Sequence, residues 1–585
     1  MIIVGVFFAA LLLAIVIKAS YLQIFCYSGL TRKAANEYVR ESKTHGKRGT
    51  IYDTNYKEMA VSIDVRSIAA YPPRVEDAEN VSKALAEELN LDGKSLNQKL
   101  SSKRSFVWIK RKVTPGETKA VKSLGISGVD FIPEHRRFYP NRMLASQVIG
   151  FTGMDGRGLE GIEFYYDSYL EGDADSFTFL RDALGRRFSG IGPKARSDRE
   201  RPIIPAIDNS LPLPRNTQGN NLVLTIDRTI QFIAESALEN VTSNFSARSG
   251  MALVMDPKTG AMLALAHAPL FNPNSFGKFD QELWRNKAIT DPFEPGSTMK
   301  IFTAASAIDS GICTPETIFF CEKGEYSVGE DVVHDSRPHA WLTLAKIIKY
   351  SSNIGSVKVS EAIGAERLYK TLCDFGFGGK TGIDCPGETA GSLSHYQRWS
   401  QIDVGAISFG QGLSVSAVQL VRAVSAIANK GTLMKPYIVQ AITDKNHVPI
   451  RTFRPLKIRQ AISAENADAI KKMMRSVVEK GGTGNKASLS GYAVCGKTGT
   501  AQKINENGAY AVGKYIASFV GFAPEQDPKV AILVVVDEPM GNHYGGVVAA
   551  PVFKKIAHET LNYMNIPPQG GKDRLTASKE REVNG

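Results

Sequence analysis

The sequence predicts an α+β protein in three parts. These are a single N-terminal transmembrane helix, an elongated non-catalytic pedestal, and a larger domain whose antiparallel sheet is flanked by helices and carries a helical subdomain. Three observations carry this reading. The 585-residue chain opens on an uncharged apolar run, its composition shifts near residues 190–220, and beyond that shift turn-linked strand pairs bracket helical stretches. Apolar residues at 43% and charged residues at 22% are the proportions of packed domains, and they exclude disorder for the bulk of the chain. A mean hydropathy of −0.15 excludes a polytopic membrane protein and allows one span. Six cysteines are too few for a disulfide-built scaffold.

The first element is the anchor, residues 1–25. Met1–Ile17 carries no charged side chain, and Lys18 can snorkel while ASYLQIF extends the apolar run. At ~1.5 Å per residue the stretch covers ~30 Å of hydrocarbon. A cleaved signal peptide is the alternative, but no A-x-A site lies where cleavage would fall. Lys18, Arg32, Lys33, Arg40, Lys43, Lys47 and Arg48 flank the span against only Glu37 and Glu41. Basic flanks favour the cytoplasm, whereas the chemistry below needs this flank outside. A basic tail upstream of Met1 would reconcile the two.

The second element is the pedestal, residues 26–215, which shows no catalytic constellation. It ends in a stretch holding Pro193, Pro202, Pro205, Pro212 and Pro214 with few large apolar residues, the composition of an exposed connection. The third is the domain at 216–565, followed by a polar, flexible tail at 566–585. Within that domain, 251–266 reads strand, Pro-Lys-Thr-Gly turn, strand, and 516–537 repeats the pattern around PEQDP. Such short turns force antiparallel neighbours. Residues 491–501 read as a further strand, and 297–309 and 342–353 as helices. Strands early and late with helices between them imply one sheet closed by distant strands around a helical insert.

Three short motifs carry chemistry. Ser297-Thr298-Met299-Lys300 follows Pro295-Gly296 at a predicted helix start. Residues three apart share a helix face, so the Lys300 amine can reach the Ser297 hydroxyl. A serine needs a base to become nucleophilic, and a desolvated lysine can serve. Ser351-Ser352-Asn353 ends an apolar helix, where a plain helix cap is the bland reading. Lys497-Thr498-Gly499-Thr500 lies on the predicted strand, with Gly499 leaving room for a substrate backbone. Each motif is cheap alone: Ser275-x-x-Lys278, Ser95-x-Asn97, Lys258-Thr259-Gly260 and Lys380-Thr381-Gly382 also occur, in loops, turns or unrelated segments.

S-x-x-K, S-x-N and K-T-G in that order resemble the serine penicillin-recognising enzymes. Arg48-Gly49-Thr50-Ile51-Tyr52-Asp53 is similar to the R-G-x-I-x-D signature of class B penicillin-binding proteins. Arg137-Phe138-Tyr139-Pro140, Gly158–Glu163, Leu224–Asp227, Phe409–Gly412, Ala517–Pro524, and Tyr544-Gly545-Gly546 with Ala549-Ala550-Pro551 resemble later signatures. The best fit is the division-specific, FtsI-like peptidoglycan D,D-transpeptidases, from the anchor to about residue 565. Thr54 departs from the arginine usual after R-G-x-I-x-D, and the short basic cytoplasmic tail is missing.

The resemblance implies a penicillin-binding transpeptidase domain on a dimerisation-type pedestal, and it implies roles. Ser297 attacks the penultimate D-Ala carbonyl of a stem peptide, and Lys300 is its base. Ser351 relays a proton to the leaving amine, and Asn353 positions substrate and Lys300. Lys497 places positive charge near Ser351 and the substrate carboxylate, which Thr498 and Thr500 hydrogen-bond beside Gly499. The Ser297 and Thr500 N–H groups form the oxyanion hole. Implied partners are peptidoglycan stem peptides, lipid-linked nascent glycan, β-lactams, a SEDS-type (FtsW-like) glycosyltransferase and other divisome proteins. The implied place is the bacterial inner membrane at the septum, catalytic domain in the periplasm.

Alternatives remain. Within the class these are an elongation or sporulation transpeptidase. Outside it they are a D,D-carboxypeptidase or β-lactamase, which need no pedestal, and a β-lactam receptor, which needs an output module not seen here. Gly491–Thr498 also fits G-x-x-x-x-G-K-[ST], yet no apolar helix period follows Lys497 to hold phosphates. A net charge of +12 comes without a nucleic-acid-binding motif, so a basic surface near anionic lipid and wall polymers is expected. Nine scattered histidines show no metal-ligand spacing, so neither metal nor cofactor is expected. Cys313 and Cys321 can bridge or stay free, and Cys495 reads as a small packing residue.

Overall fold

A computed structural model of the chain describes residues 2–26, 39–181, 187–188, 218–505 and 507–568. The Pro-rich connection from 189 to 217 and the expected flexible tail beyond Pro568 lie outside the described residues. The described chain divides into two compact units. The first comprises Met1–Arg48, Ser62–Arg136 and Glu171–Gly219, and the second Gly49–Val61, Arg137–Leu170 and Asn220–Gly585. Segments 49–61 and 137–170, inside the stretch the sequence assigns to the pedestal, thus cluster with the larger unit.

In the first unit the apolar N-terminal run forms a 23-residue helix, Ile2–Ile24, with a hydropathy of 2.8 over its best window and no buried side chain. It is long and apolar enough to cross a bilayer. The unit's core gathers Ile68 and Ala70 with Leu85, Leu89, Leu96, Leu100, Val107 and Ile109. Leu85 and Leu89, four apart, fall on one face of helix Ala78–Leu89, as do Leu96 and Leu100 on Gly93–Leu100. Asp77 and Asp92 cap these helices by accepting from Asn80 N and Ser95 N. Thr114 and Glu117 close a reciprocal capping box on Pro115–Ser123.

The second unit is built on a five-stranded sheet. Its strands are β1 (Ser249–Met255), β2 (Met262–Ala268), β3 (Cys495–Ile504), β4 (Tyr510–Ala523) and β5 (Val530–Asp537), in the order β2-β1-β5-β4-β3, every pair antiparallel. The chain thus supplies two strands early and three late, as the turn pattern predicts. On β5, Val530, Ile532, Val534 and Val536 pack with helices Arg228–Asn244 and Ala550–Tyr563, while Ala531, Leu533 and Val535 join the core of the helical subdomain. Both faces are covered, which is why β5 reads as an unbroken apolar run. The helical subdomain includes Lys300–Asp309, Leu344–Tyr350, Asn353–Ile363 and Ala417–Ala428.

Several signature segments meet away from the sheet in a buried polar network. Arg137 Nε bonds Glu163 Oε1 at 2.6 Å, and its Nη1 donates to the Gly49 carbonyl at 2.6 Å. Tyr139 Oη donates to the same Glu163 oxygen at 3.3 Å. Asp53 accepts from the Asn55, Lys57 and Arg228 N–H groups, and Asn55 Nδ2 reaches Asp227, the cap of helix Arg228–Asn244. The N-terminal segment 49–61 is thereby pinned into the catalytic unit by hydrogen bonds, alongside Ile51, Met59 and Ala60, which are buried in its core.

Candidate active site

Ser297 sits in a short 3₁₀ turn, Gly296–Met299, that runs into helix Lys300–Asp309. The turn is clamped from two sides. Gly296 has φ +55°, and a Cβ there would lie 2.7 Å from the Thr500 carbonyl on β3. Its N–H donates to the Gly410 carbonyl at 3.0 Å. A Cβ on Gly410 would in turn lie 2.0 Å from the Gly296 carbonyl. The Pro-Gly before the serine and the Phe409–Gly412 signature are thus one packing requirement seen from two places. Ser297 is half-buried, and its hydroxyl makes no hydrogen bond among the described residues.

Lys300 is fully buried. Its Nζ donates to Asn353 Oδ1 at 2.7 Å and to the Ser351 carbonyl at 2.7 Å, and lies 3.3 Å from Ser351 Oγ. These hydrogen-bond partners all lie in the S-x-N segment. Lys497, also fully buried, reaches Ser351 Oγ from β3 at 2.9 Å. Ser351 Oγ therefore lies between two lysine amines. Burial pushes Lys300 down to about 7, with Asp335 opposing. Burial, and then the charge of Lys300, push Lys497 well down. Two like charges sharing one hydroxyl in a dry site cannot both be held cheaply, so the site favours a neutral amine, which is a base.

The predicted helix over 342–353 is broken. Leu344–Tyr350 ends with Ser351 at φ +62°, and a second helix starts at Asn353, capped by Ser352. A serine at positive φ is uncommon, and here it turns Oγ and the carbonyl toward the lysines. Asp335, which sequence reasoning missed, holds this corner: its carboxylate accepts from Ser352 Oγ and from the Asn353 and Ile354 N–H groups. Nothing in the surrounding HDSRP sequence signals that role.

On β3, Thr500 Oγ1 accepts from the Gly545 N–H at 3.2 Å, which leaves its own O–H to donate outward. Thr498 Oγ1 donates to Thr483 Oγ1 at 3.2 Å. A Cβ on Gly545 would lie 2.3 Å from the Gly499 carbonyl, and one on Gly546 2.2 Å from the Thr483 carbonyl, so Tyr544-Gly545-Gly546 exists to let a backbone lie against β3. Gly499 is confined by the protein around it. A side chain there would meet Ser518 Oγ at 2.2 Å and the Pro295 carbonyl at 2.9 Å, so its space is filled by the protein itself. Lys497-Thr498 is strand, paired in register with Val520 and Phe519 on β4; no phosphate-binding helix follows it. Cys313 and Cys321 are both buried free thiols, and Cys495 is fully buried.

A half-buried serine at a helix start, two buried lysines and a hydroxyl-lined strand edge, set on an antiparallel sheet with a helical subdomain, are the arrangement of a serine acyl-transfer protein of the penicillin-recognising type. Comparison with known proteins narrows this. Residues 250–558 match the penicillin-binding protein transpeptidase domain, and residues 43–197 match the penicillin-binding protein dimerisation domain. The chain is similar to the probable peptidoglycan D,D-transpeptidase PenA of Neisseria meningitidis, with 35% identity across 96% of this chain and 92% of the relative. It is similar to the peptidoglycan D,D-transpeptidase FtsI of Escherichia coli, with 32% identity across 97% and 91%. The crystal structure of penicillin-binding protein 3 from Mycobacterium tuberculosis complexed with aztreonam superposes with a TM-score of 0.68 at 27% identity, covering 90% of this chain and 98% of that one. The chain belongs to the class B penicillin-binding proteins.

Proposed function

We propose that this protein cross-links peptidoglycan stem peptides as a serine D,D-transpeptidase at the division septum and is acylated by β-lactams. The observation that carries the reading is Ser351 Oγ within hydrogen-bond reach of both Lys300 and Lys497, so that all three motifs share one network. Ser297 Oγ attacks the penultimate D-Ala carbonyl and gives its proton to neutral Lys300. The Ser297 and Thr500 N–H groups hold the oxyanion, each donor lowering the barrier by about 3–4 kcal/mol. The peptide C–N bond breaks as a proton passes through Ser351 to the leaving D-Ala amine. An amine of a neighbouring stem peptide then attacks the Ser297 ester, its proton returns through the same pair, and the cross-link leaves Ser297 free. Asn353 holds the Lys300 amine, while Lys497, Thr498 and Thr500 receive the terminal carboxylate at the edge of β3 beside Gly499.

Ile2–Ile24 anchors the chain in the inner membrane, with the N-terminus cytoplasmic and the catalytic unit periplasmic. Residues 26–215, apart from the segments 49–61 and 137–170 that belong to the catalytic unit, serve as a non-catalytic pedestal, with a SEDS-type (FtsW-like) glycosyltransferase and divisome proteins as partners and nascent lipid-linked glycan as the strand supplied. The test is labelling of the detergent-solubilised full chain by fluorescent penicillin. Ser297→Ala abolishes labelling and cross-linking of donor and acceptor stem peptides; persistent labelling of the variant refutes the assignment. Only released D-Ala, without cross-link, would make the protein a carboxypeptidase.

A further inference from the structure

Glu294 lies three residues before Ser297 and is 9% exposed, yet no cation sits within ion-pair distance of it among the described residues. Burial raises its pKa, opposed only by two neutral donors. One is the Gly412 N–H, at 2.9 Å from Oε1; the other is the Tyr510 hydroxyl, at 3.3 Å from Oε2. A carboxylate kept dry without a countercharge is a poor way to fill space, since an apolar side chain would do so at lower cost. What it supplies is a joint between three segments. Gly412 closes the loop whose Gly410 carbonyl already holds the Gly296 N–H. Tyr510 opens β4, opposite Ile504 at the end of β3.

That end of the hairpin is exposed, and on the side facing the Ser297 turn Glu294 is what it bonds. Ile504, Tyr510 and Val512 are 49%, 43% and 95% exposed. Asn505 N to the Ala509 carbonyl, Ala509 N to Asn505 Oδ1 and Gln502 Nε2 to the Ala511 carbonyl stay within the hairpin, while Lys503 Nζ ties the β5 side of this end through Asp537 at 2.8 Å and Glu538 at 2.6 Å. We propose that Glu294 is a positioning residue, latching Tyr510 of the β3–β4 hairpin and Gly412 of the Phe409–Gly412 loop to the Ser297 turn and so setting the acylation rate. The latch acts through the register of β3, whose Thr500 carbonyl packs against Gly296. It rests on the serine reading above.

The test uses the detergent-solubilised full chain and fluorescent penicillin, separating the acylation rate constant from the saturation constant, with thermal melting in parallel. Losing one hydrogen bond to a carboxylate predicts that Tyr510→Phe acylates about tenfold more slowly at an unchanged saturation constant and melting temperature. Glu294→Ala slows acylation at least as much. The double variant is no slower than Glu294→Ala, because a latch opens once. Glu294→Gln, which can still accept from Gly412 and bond Tyr510, recovers most of the rate. Wild-type acylation by Tyr510→Phe, or additive losses in the double variant, overturns the latch. No label on the unsubstituted, folded chain overturns the serine reading itself, a result distinct from a slow variant on an active background.

Discussion

The catalytic unit buries charge in two places, by opposite rules. At Arg137 and Glu163 unlike charges meet, both nearly fully buried, with further hydrogen bonds from Tyr139 and to the Gly49 carbonyl. At Lys300 and Lys497 like charges meet, and among the described residues the carboxylate acting on Lys300 in opposition to burial is Asp335. The first arrangement satisfies its charges and fastens the segment at Gly49 to the body of the unit. The second leaves a charge unsatisfied and converts that cost into a neutral amine. Signature residues of a family can thus be equally buried and equally polar while one set pairs its charges and the other sets like charges together, the arrangement that suits a base.

Swapping out one member of each pair separates the two. Lys300→Met should cut acylation by fluorescent penicillin about 10²- to 10⁴-fold, the range of a positioned acid–base group. It should leave stability in urea unchanged or raised by about 1–4 kcal/mol, because a like charge leaves a dry site. Glu163→Gln should do the reverse. It strips the countercharge from Arg137 and should cost about 3–5 kcal/mol of stability, while the folded fraction acylates at the wild-type rate. If Lys300→Met unfolds the protein, or Glu163→Gln slows acylation of folded molecules tenfold, the two regions are not separable and the contrast fails.

The difference also decides what the sequence discloses. The three motifs are legible because each is a local pattern whose chemistry is fixed by residue type, and the strands are legible because β5 is apolar on both faces and the turns are short. The physical reasons for several residues are not local. At Gly499 a side chain is already excluded by Ser518 and Pro295, which come from other segments. The helix over 342–353 breaks because Asp335, from a separate loop, caps a new helix at Asn353. The Lys300 amine is held by Asn353 Oδ1 and the Ser351 carbonyl, partners more than fifty positions along the chain that no local spacing discloses. Arg137, Glu163 and Gly49 stand 88 and 26 positions apart along the chain, so their signatures are visible as patterns while their bond is not.

The smallest effect tests the opposing charge at the lysines. With Lys300 held down to about 7, against ~10.4 for a free lysine, the neutral base is scarce below pH 7. The acylation rate should therefore climb about tenfold per pH unit up to about 7 and then level. The same shift makes the unfolded chain bind more protons than the folded chain between about 7 and ~10.4, so this group's contribution to stability rises with pH across that window. Asp335 favours the protonated amine. Asp335→Asn keeps an acceptor oxygen for the Asn353 and Ile354 N–H groups and an amide for Ser352 Oγ, but removes the charge. The midpoint should move down, and acylation at pH 6 should quicken about two- to fivefold with the plateau unmoved. A midpoint that moves up would mean that Asp335 acts by shaping the Ser351–Asn353 corner, and that the charge on the lysines is set by burial alone.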